Sequence, residues 1–313
     1  MKTYRIIAVT PAGRRAYLEL LTHYILRDRN IAEWHVWDNC RDVHDRAYVD
    51  SLEKKSGRIR ILRREGANGS NRSINGFYAA CTDPGAFYIK MDDDIVYLEE
   101  NTASALLDAA VAEKGSHLWW SPLVVNNALC SWLLQQHGLL DTDRELTAQA
   151  SCPTGWKDPW FAAMLHRAFL TMLSRGQRIR LPKSTVSLSR YSINCIGFFG
   201  EDVVRYGPLF CPDHVSDEEW ISAALPLRTG RFGRIVGETC VAHYSFYTQE
   251  HVLNTTDILD RYYQLAGITR RLPHPSKNPL WRKGRLRRAA RAFLDAVGVR
   301  MEPLARPRVG LRL

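Results

Sequence analysis

The sequence has 313 residues, 45% of them hydrophobic and 24% charged, with 9 Trp, 13 Tyr and 10 Phe. That composition excludes a disordered or low-complexity chain and leaves room for one large core plus an appendage. The formal net charge of +10 is local: eleven of the 43 Lys and Arg but only two of the 33 Asp and Glu fall from Lys277 onward, leaving 32 bases against 31 acids in residues 1–276. Nucleic acid is therefore not an expected partner of the body of the chain. No apolar run reaches the roughly 20 residues of a membrane-spanning helix, and the first ten residues read as a strand rather than a signal peptide, so a cytoplasmic protein is expected. Cys40, Cys81, Cys130, Cys152, Cys195, Cys211 and Cys240 are odd in number and never in a CxxC spacing, which argues for reduced thiols rather than disulfides or a thiolate zinc site.

In chain order, Tyr4 to Thr10 is a buried-strand run stopped by Pro11 and Gly13, and Tyr17, Leu21, Tyr24 and Ile25 make a helical stripe. The unit repeats as strand Glu33 to Trp37, helix Asp42 to Lys55, strand Arg58 to Leu62, helix Ser70 to Cys81 and strand Ala86 to Met91. Such alternation predicts an α/β fold, a mostly parallel sheet with helices on both faces and ligands at the carboxyl ends of its strands. After residue 115 the pattern loosens: a strand over His117 to Val125, a helix over Asp158 to Ser174, a β-rich stretch from Ser184 to Phe199, a helix from near Ser216, a strand from Glu238 to His243 and a helix over Asp257 to Leu265. The chain divides into residues 1–115, 116–270 and 271–313, with the irregular, aromatic middle part the place for a second substrate.

Asp92, Asp93 and Asp94 follow one another at the end of the apolar strand Ala86 to Met91. Three carboxylates there need a compensating cation, and a hard divalent ion such as Mg²⁺ or Mn²⁺ takes oxygen ligands while keeping positions open for phosphate. A polar turn after a strand is the plainer alternative.

Thr10-Pro11, Trp37-Asp38-Asn39, Gly69-Ser70-Asn71-Arg72-Ser73-Ile74-Asn75 and Tyr88-Ile89-Lys90-Met91-Asp92-Asp93-Asp94 together resemble the nucleotide-sugar half of GT-A glycosyltransferases, particularly the glycosyltransferase family 2-like group. The resemblance covers about the first 100 residues. It implies a nucleotide-sugar donor with Thr10 and Pro11 lining the base pocket and Asp38 accepting from the base. It also implies Arg72 and Asn75 at the base and diphosphate, Asp92 near the ribose, Asp93 among the donor-binding residues, and Asp94 on a Mn²⁺ or Mg²⁺ that bridges the phosphates. A late strand in this family often gives the metal a histidine, and His243 in Val241-Ala242-His243-Tyr244 occupies such a place; a core histidine bonded to a carbonyl is the alternative.

Inverting transfer needs one base on the acceptor side. Asp217 and Glu218 in Ser216-Asp217-Glu218-Glu219-Trp220 are the first candidates, since Ser216 and Glu219 form a capping box, and Asp202 in Gly200-Glu201-Asp202 is the second. Trp119, Trp120, Trp156 and Trp160 fit either sugar stacking or the core, and Tyr191 and Asn194 are open in the same way. Past Trp281, Leu286, Ala290, Phe293, Leu294 and Val297 recur at helical spacing among arginines, predicting a basic amphipathic helix that either packs on the body or lies on an anionic membrane surface. The expectation is a metal-dependent, inverting glycosyltransferase acting on a glycan or glycolipid in cell-surface polysaccharide synthesis, peripheral to the inner face of the membrane. The rival readings are a nucleotidyltransferase making nucleotide sugars, for which Thr10-Pro11-Ala12-Gly13-Arg14 is too poor in glycine, and a non-enzymatic nucleic-acid-binding protein with a basic tail.

Overall fold

The computed structural model describes residues 3–186, 189–272 and 308–312. Its strands are β1 (Arg5–Ala12), β2 (Ile31–Asp38), β3 (Ile59–Leu62), β4 (Ala86–Met91), β5 (Ile95–Leu98), β6 (His117–Val125), β7 (Leu140–Thr142), β8 (Ser184–Val186), β9 (Cys195–Phe199), β10 (Phe232–His243) and β11 (Val309–Leu311). Nine of them form one sheet in the order β3-β2-β1-β4-β9-β6-β10-β5, with β8 also on β10. β3, β2, β1, β4, β6 and β10 point the same way, because β9 is antiparallel to both β4 and β6, while β5 and β8 run against β10. The architecture is the expected mostly parallel sheet flanked by helices.

The sequence explains the regular parts. β4 is buried at every position, as a strand covered on both faces must be, so apart from Lys90 it reads as a continuous apolar run rather than an alternating one. Helices open on residues that satisfy their free amides: Asp42 accepts from His44 and Asp45, Asn127 from Leu129 and Cys130, and Asp158 from Trp160 and Phe161 ahead of Pro159. β1 runs through Pro11 instead of stopping there, because beyond Val9 the strand pairs only with β2 and an unpaired side tolerates a missing N–H. The helix expected over Ser70 to Cys81 is one α-turn, Asn71–Ile74, followed by a 3₁₀ segment, Asn75–Ala80. The β-rich stretch from Ser184 splits into β8 and β9, which lie at different places in the sheet. β5 and the helices Thr102–Ala112 and Ala128–Gln136 were not anticipated.

Strands from both of the expected halves share the one sheet. All seven cysteines are buried and free, and among the described residues no helix is long and apolar enough to cross a membrane. The basic amphipathic helix expected around Leu286 to Val297 lies outside the described residues. The chain's last described stretch belongs to the body: β11 pairs antiparallel with β7, and Arg308 and Arg312 reach the Asp141 carboxylate at 3.0 and 2.7 Å. Val309 and Leu311 pack half-buried on the core. Ending the chain at Pro307 is therefore expected to expose the β7 edge and lower Tm, by about 2–4 °C for each kcal/mol of packing lost. An unchanged thermal melt would show that β11 adds nothing.

Candidate active site

A cleft of about 730 Å³ opens at the carboxyl ends of β1, β2, β4 and β10. Asp92, Asp93 and Asp94 form its floor directly after β4, and each acid has a different environment. Asp92 accepts from the buried Lys90 ammonium and, at 3.1 Å, from Asn194 Nδ2. Lys90 also donates to the Ile193 carbonyl at 2.9 Å; burial is the largest single influence on it and lowers its proton affinity, but Asp92, Asp217 and Glu218 together raise it further than burial lowers it. Asp93 accepts from the Gly13 amide and Arg14 Nε, both at 2.9 Å. Burial, reinforced by the adjacent Asp94, pushes its pKa up to about 6 despite Arg14. Asp94 is fully buried, and neither carboxylate oxygen has a hydrogen-bond partner. Burial would raise its pKa, but Arg14, 3.0 Å away, and His243, 3.4 Å away, hold it below the usual carboxylate range.

His243 ends β10 beside a register shift against β5. The Asn126 carbonyl is 3.2 Å from Nδ1, so Nδ1 carries a proton and Nε2 faces Asp94. Fixing the tautomer through a carbonyl is the arrangement in which histidines serve as metal ligands. Asn126 holds this carbonyl from a left-handed backbone conformation (φ 63°), which asparagine tolerates better than most residues, while its amide ties down the Tyr244 carbonyl and Gln249. A second buried imidazole, His166, bonds the same Tyr244 carbonyl at 2.9 Å and the Tyr262 hydroxyl at 2.8 Å.

The ligand atoms of Asp92, Asp94 and His243 lie within 4.8 Å of one another. A buried carboxylate with unused lone pairs, a second carboxylate and an oriented imidazole suit a divalent cation with mixed oxygen and nitrogen ligands. Asp217 and Glu218 line the same cleft from the start of a helical segment, Asp217–Glu219, capped by Ser216. Burial raises the proton affinity of both carboxyls, more than Lys90 lowers it for Asp217 or Arg190, bonded to Glu218 at 2.6 Å, lowers it for Glu218.

Of the sequence candidates, Pro11, Arg72, Asp92, Asp93, Asp94, Asp217, Glu218 and His243 meet in this cleft. Thr10, Asp38 and Asn75 do not line it. Thr10 is buried and accepts from Trp34 Nε1. Asp38 is buried with Arg46 and Arg63 at 3.4 Å, and Asn75 donates to the Pro212 and Val215 carbonyls, fixing the segment that leads to Ser216. Asp202 lies outside the cleft in a buried ion pair with Arg231. Trp119 and Trp120 are core residues, and Tyr191 is buried against Trp119 and Ser121. Sequence reasoning missed Arg14, Lys90 and Arg190. A lysine two residues before Asp92, in an otherwise apolar strand, was the available signal for Lys90, since i and i+2 share a face of a strand.

No protein-family profile and no curated protein matches the sequence. Solved structures similar to it include a mannosyltransferase from Pyrobaculum calidifontis in complex with GDP-Man and Mn²⁺ (13% identity, 96% of this chain and 77% of that one, TM-score 0.49). Two others are GalNAc-T7 with UDP, GalNAc and Mn²⁺ (12%, 84% and 48%, TM-score 0.47) and a 4-diphosphocytidyl-2C-methyl-D-erythritol synthase from Anaerococcus prevotii (13%, 84% and 96%, TM-score 0.44). Sugar-transferring and nucleotide-transferring proteins both occur among these likenesses.

Burial lowers the His166 pKa to about 4, against 6.5 for an unperturbed imidazole. The unfolded chain therefore takes up a proton first as pH falls, and the stability tied to neutral His166 is complete above about pH 6.5 and drains away toward pH 4, on the order of 3 kcal/mol in all. In urea titrations across that window, His166→Gln is expected to lose less stability than the parent protein. Equal losses would assign the acid sensitivity to other groups.

Proposed function

We propose that the protein is a divalent-metal-dependent glycosyltransferase that moves a sugar from a nucleotide-sugar donor to a hydroxyl of a glycan or glycolipid acceptor, with inversion at the anomeric carbon. The observation that carries this reading is the buried Asp94 carboxylate, which accepts no hydrogen bond, grouped with Asp92 and His243 on the floor of a strand-end cleft that also holds two carboxyls of raised proton affinity.

Asp92, Asp94 and His243 would hold Mn²⁺ or Mg²⁺, which when bound neutralises negative charge on the departing diphosphate. Pro11, Arg72 and the neighbouring Arg41 would line the donor's base and phosphate side. Asp217 or Glu218 takes the proton of the acceptor hydroxyl as its oxygen bonds to the anomeric carbon. The bond from that carbon to the diphosphate oxygen breaks, and the nucleoside diphosphate leaves with its electron pair. Burial suits both carboxyls to this task, because a base must hold the proton it takes. Lys90 acts as a positioning residue, keeping Asp92 turned toward the cleft.

Nucleotidyl transfer is the less favoured reading. It wants open backbone amides after the first strand, whereas β1 continues to Ala12 and the Gly13 amide is already bonded to Asp93. The basic stretch from Lys277 supports an acceptor presented at an anionic membrane surface, an argument from sequence charge alone.

Calorimetry with UDP and GDP tests the donor half. Binding is expected with Mn²⁺ or Mg²⁺, lost in EDTA and weakened about 10–100-fold in Asp94→Asn, the range typical for damage to a metal site. Undiminished affinity in EDTA would sink the proposal. With donor binding established, Asp217→Asn or Glu218→Gln is expected to abolish transfer while leaving nucleoside diphosphate affinity intact. Normal turnover in both would remove the base role from this pair of carboxyls.

A further inference from the structure

Tyr247 is the most solvent-accessible aromatic side chain of the cleft wall, with 65% of its surface exposed. A lone exposed aromatic needs no explanation, but this one is braced. Trp156 meets it edge-on, with ring centroids 5.5 Å apart and planes at 77°. The Thr248 hydroxyl donates to the Trp156 carbonyl at 2.5 Å, and the buried Gln249 donates to the Gly155 carbonyl while accepting from the Phe246 amide and Asn126. The preceding residue, Phe246, packs its ring against the His243 imidazole at 4.7 Å. The loop is thus fixed on both sides of an outward-facing ring, one residue from a side chain that touches the candidate metal ligand.

We infer that Tyr247, held by Trp156, is the platform on which the pyranose ring of the acceptor stacks. The inference rests on the sugar-transfer reading and names the acceptor side of that site. A pyranose has one face of C–H groups, and the negative face of an aromatic ring attracts their positive edge while the phenol hydroxyl stays wet. Because the loop is already pinned, little ordering entropy opposes the contact. Glu250 lines the cleft three residues further on, accepts from the Tyr17 hydroxyl at 3.3 Å through Oε1, and would meet sugar hydroxyls through its other oxygen. The sheet order supports the side assigned: β10, which leads into this loop, lies across β4 and its acids from the β1 and β2 ends that carry Pro11, Asn39 and Arg41. The base and phosphates of the donor therefore have the opposite wall.

The test uses the full chain with Mn²⁺ and UDP or GDP on an array of pyranose oligosaccharides, with nucleoside diphosphate affinity measured on the same samples. Tyr247→Ala is expected to weaken glycan retention about tenfold, the equivalent of roughly 1.4 kcal/mol, with nucleoside diphosphate affinity unchanged, and Tyr247→Phe is expected to behave as the parent. Absence of any retained glycan, or equal retention by Tyr247→Ala, would overturn the platform. A fall in nucleoside diphosphate affinity in Tyr247→Ala would also overturn it, because the ring would then serve the donor base. Loss of metal-dependent nucleoside diphosphate binding in the parent protein is a separate result that strikes the transfer reading itself.

Discussion

Removing carboxylates from water is costly unless each finds a cation or several donors, and three of them follow one another at the end of β4. The arrangement around them sets most of the cleft. Lys90 must lie buried inside the strand to reach Asp92, and Gly13 with Arg14 must turn back from β1 to serve Asp93. What is left is asymmetric. Asp92 and Asp93 are satisfied by hydrogen bonds, whereas Asp94 has charge neighbours at 3.0 and 3.4 Å but no hydrogen bond to either oxygen. A fully hydrogen-bonded cluster would be a structural knot, and one member without a hydrogen bond is what makes this a candidate site.

The sheet brings the partners together by topology rather than sequence proximity. β9, inserted antiparallel beside β4, delivers Ile193 and Asn194 from its entering loop, and the long β10 carries His243 to the same end of the sheet as the acids. The backbone ties the two ends: the Asp92 amide donates to the Asn194 carbonyl at 2.8 Å and the Tyr244 amide to the Asp94 carbonyl at 2.9 Å. His166, Tyr262 and Asn126 then hold Tyr244, so the orientation of His243 depends on residues up to about 120 positions away in the chain. Placement of this kind suits a site that must keep its geometry while a substrate enters.

The first hundred residues were legible because their strands and helices alternate with clean periodicity and capping residues, and because a run of aspartates after an apolar strand has few structural uses. Asp217 and Glu218 were legible as chemistry but not as neighbours of the acids, and His243 was legible as a partner of Asp94 only through the family resemblance, since only the fold brings them into one cleft. Thr10, Asp38 and Asn75 show the opposite failure. Each has the right residue type beside the cleft, yet each is turned to a local partner: the Trp34 indole, two arginines and two backbone carbonyls. Arg14 and Tyr247 carried no signal, because a single arginine after a turn and a single tyrosine in a loop are ordinary until their distances are known.

The charges lining the cleft also bear on the order in which ligands can bind. Asp92, Asp93, Asp94, Asp217, Glu218 and Glu250 face Arg14, Arg41, Arg72, Lys90 and Arg190, and three of those bases are already committed to acids: Arg14 to Asp93, Lys90 to Asp92 and Arg190 to Glu218. Arg41 donates to the Gly69 carbonyl through Nε, and on the proposed reading its terminal nitrogens and Arg72 would meet the diphosphate. Two guanidiniums at the rim do not offset a floor of carboxylates for a dianion in a site of reduced dielectric. On the sugar-transfer reading, a donor's phosphates would approach Asp94 with a cation between them, and that cation would in turn be held more tightly once phosphate oxygens joined its ligands. Donor and metal affinities would then rise together by the same factor, as linkage requires.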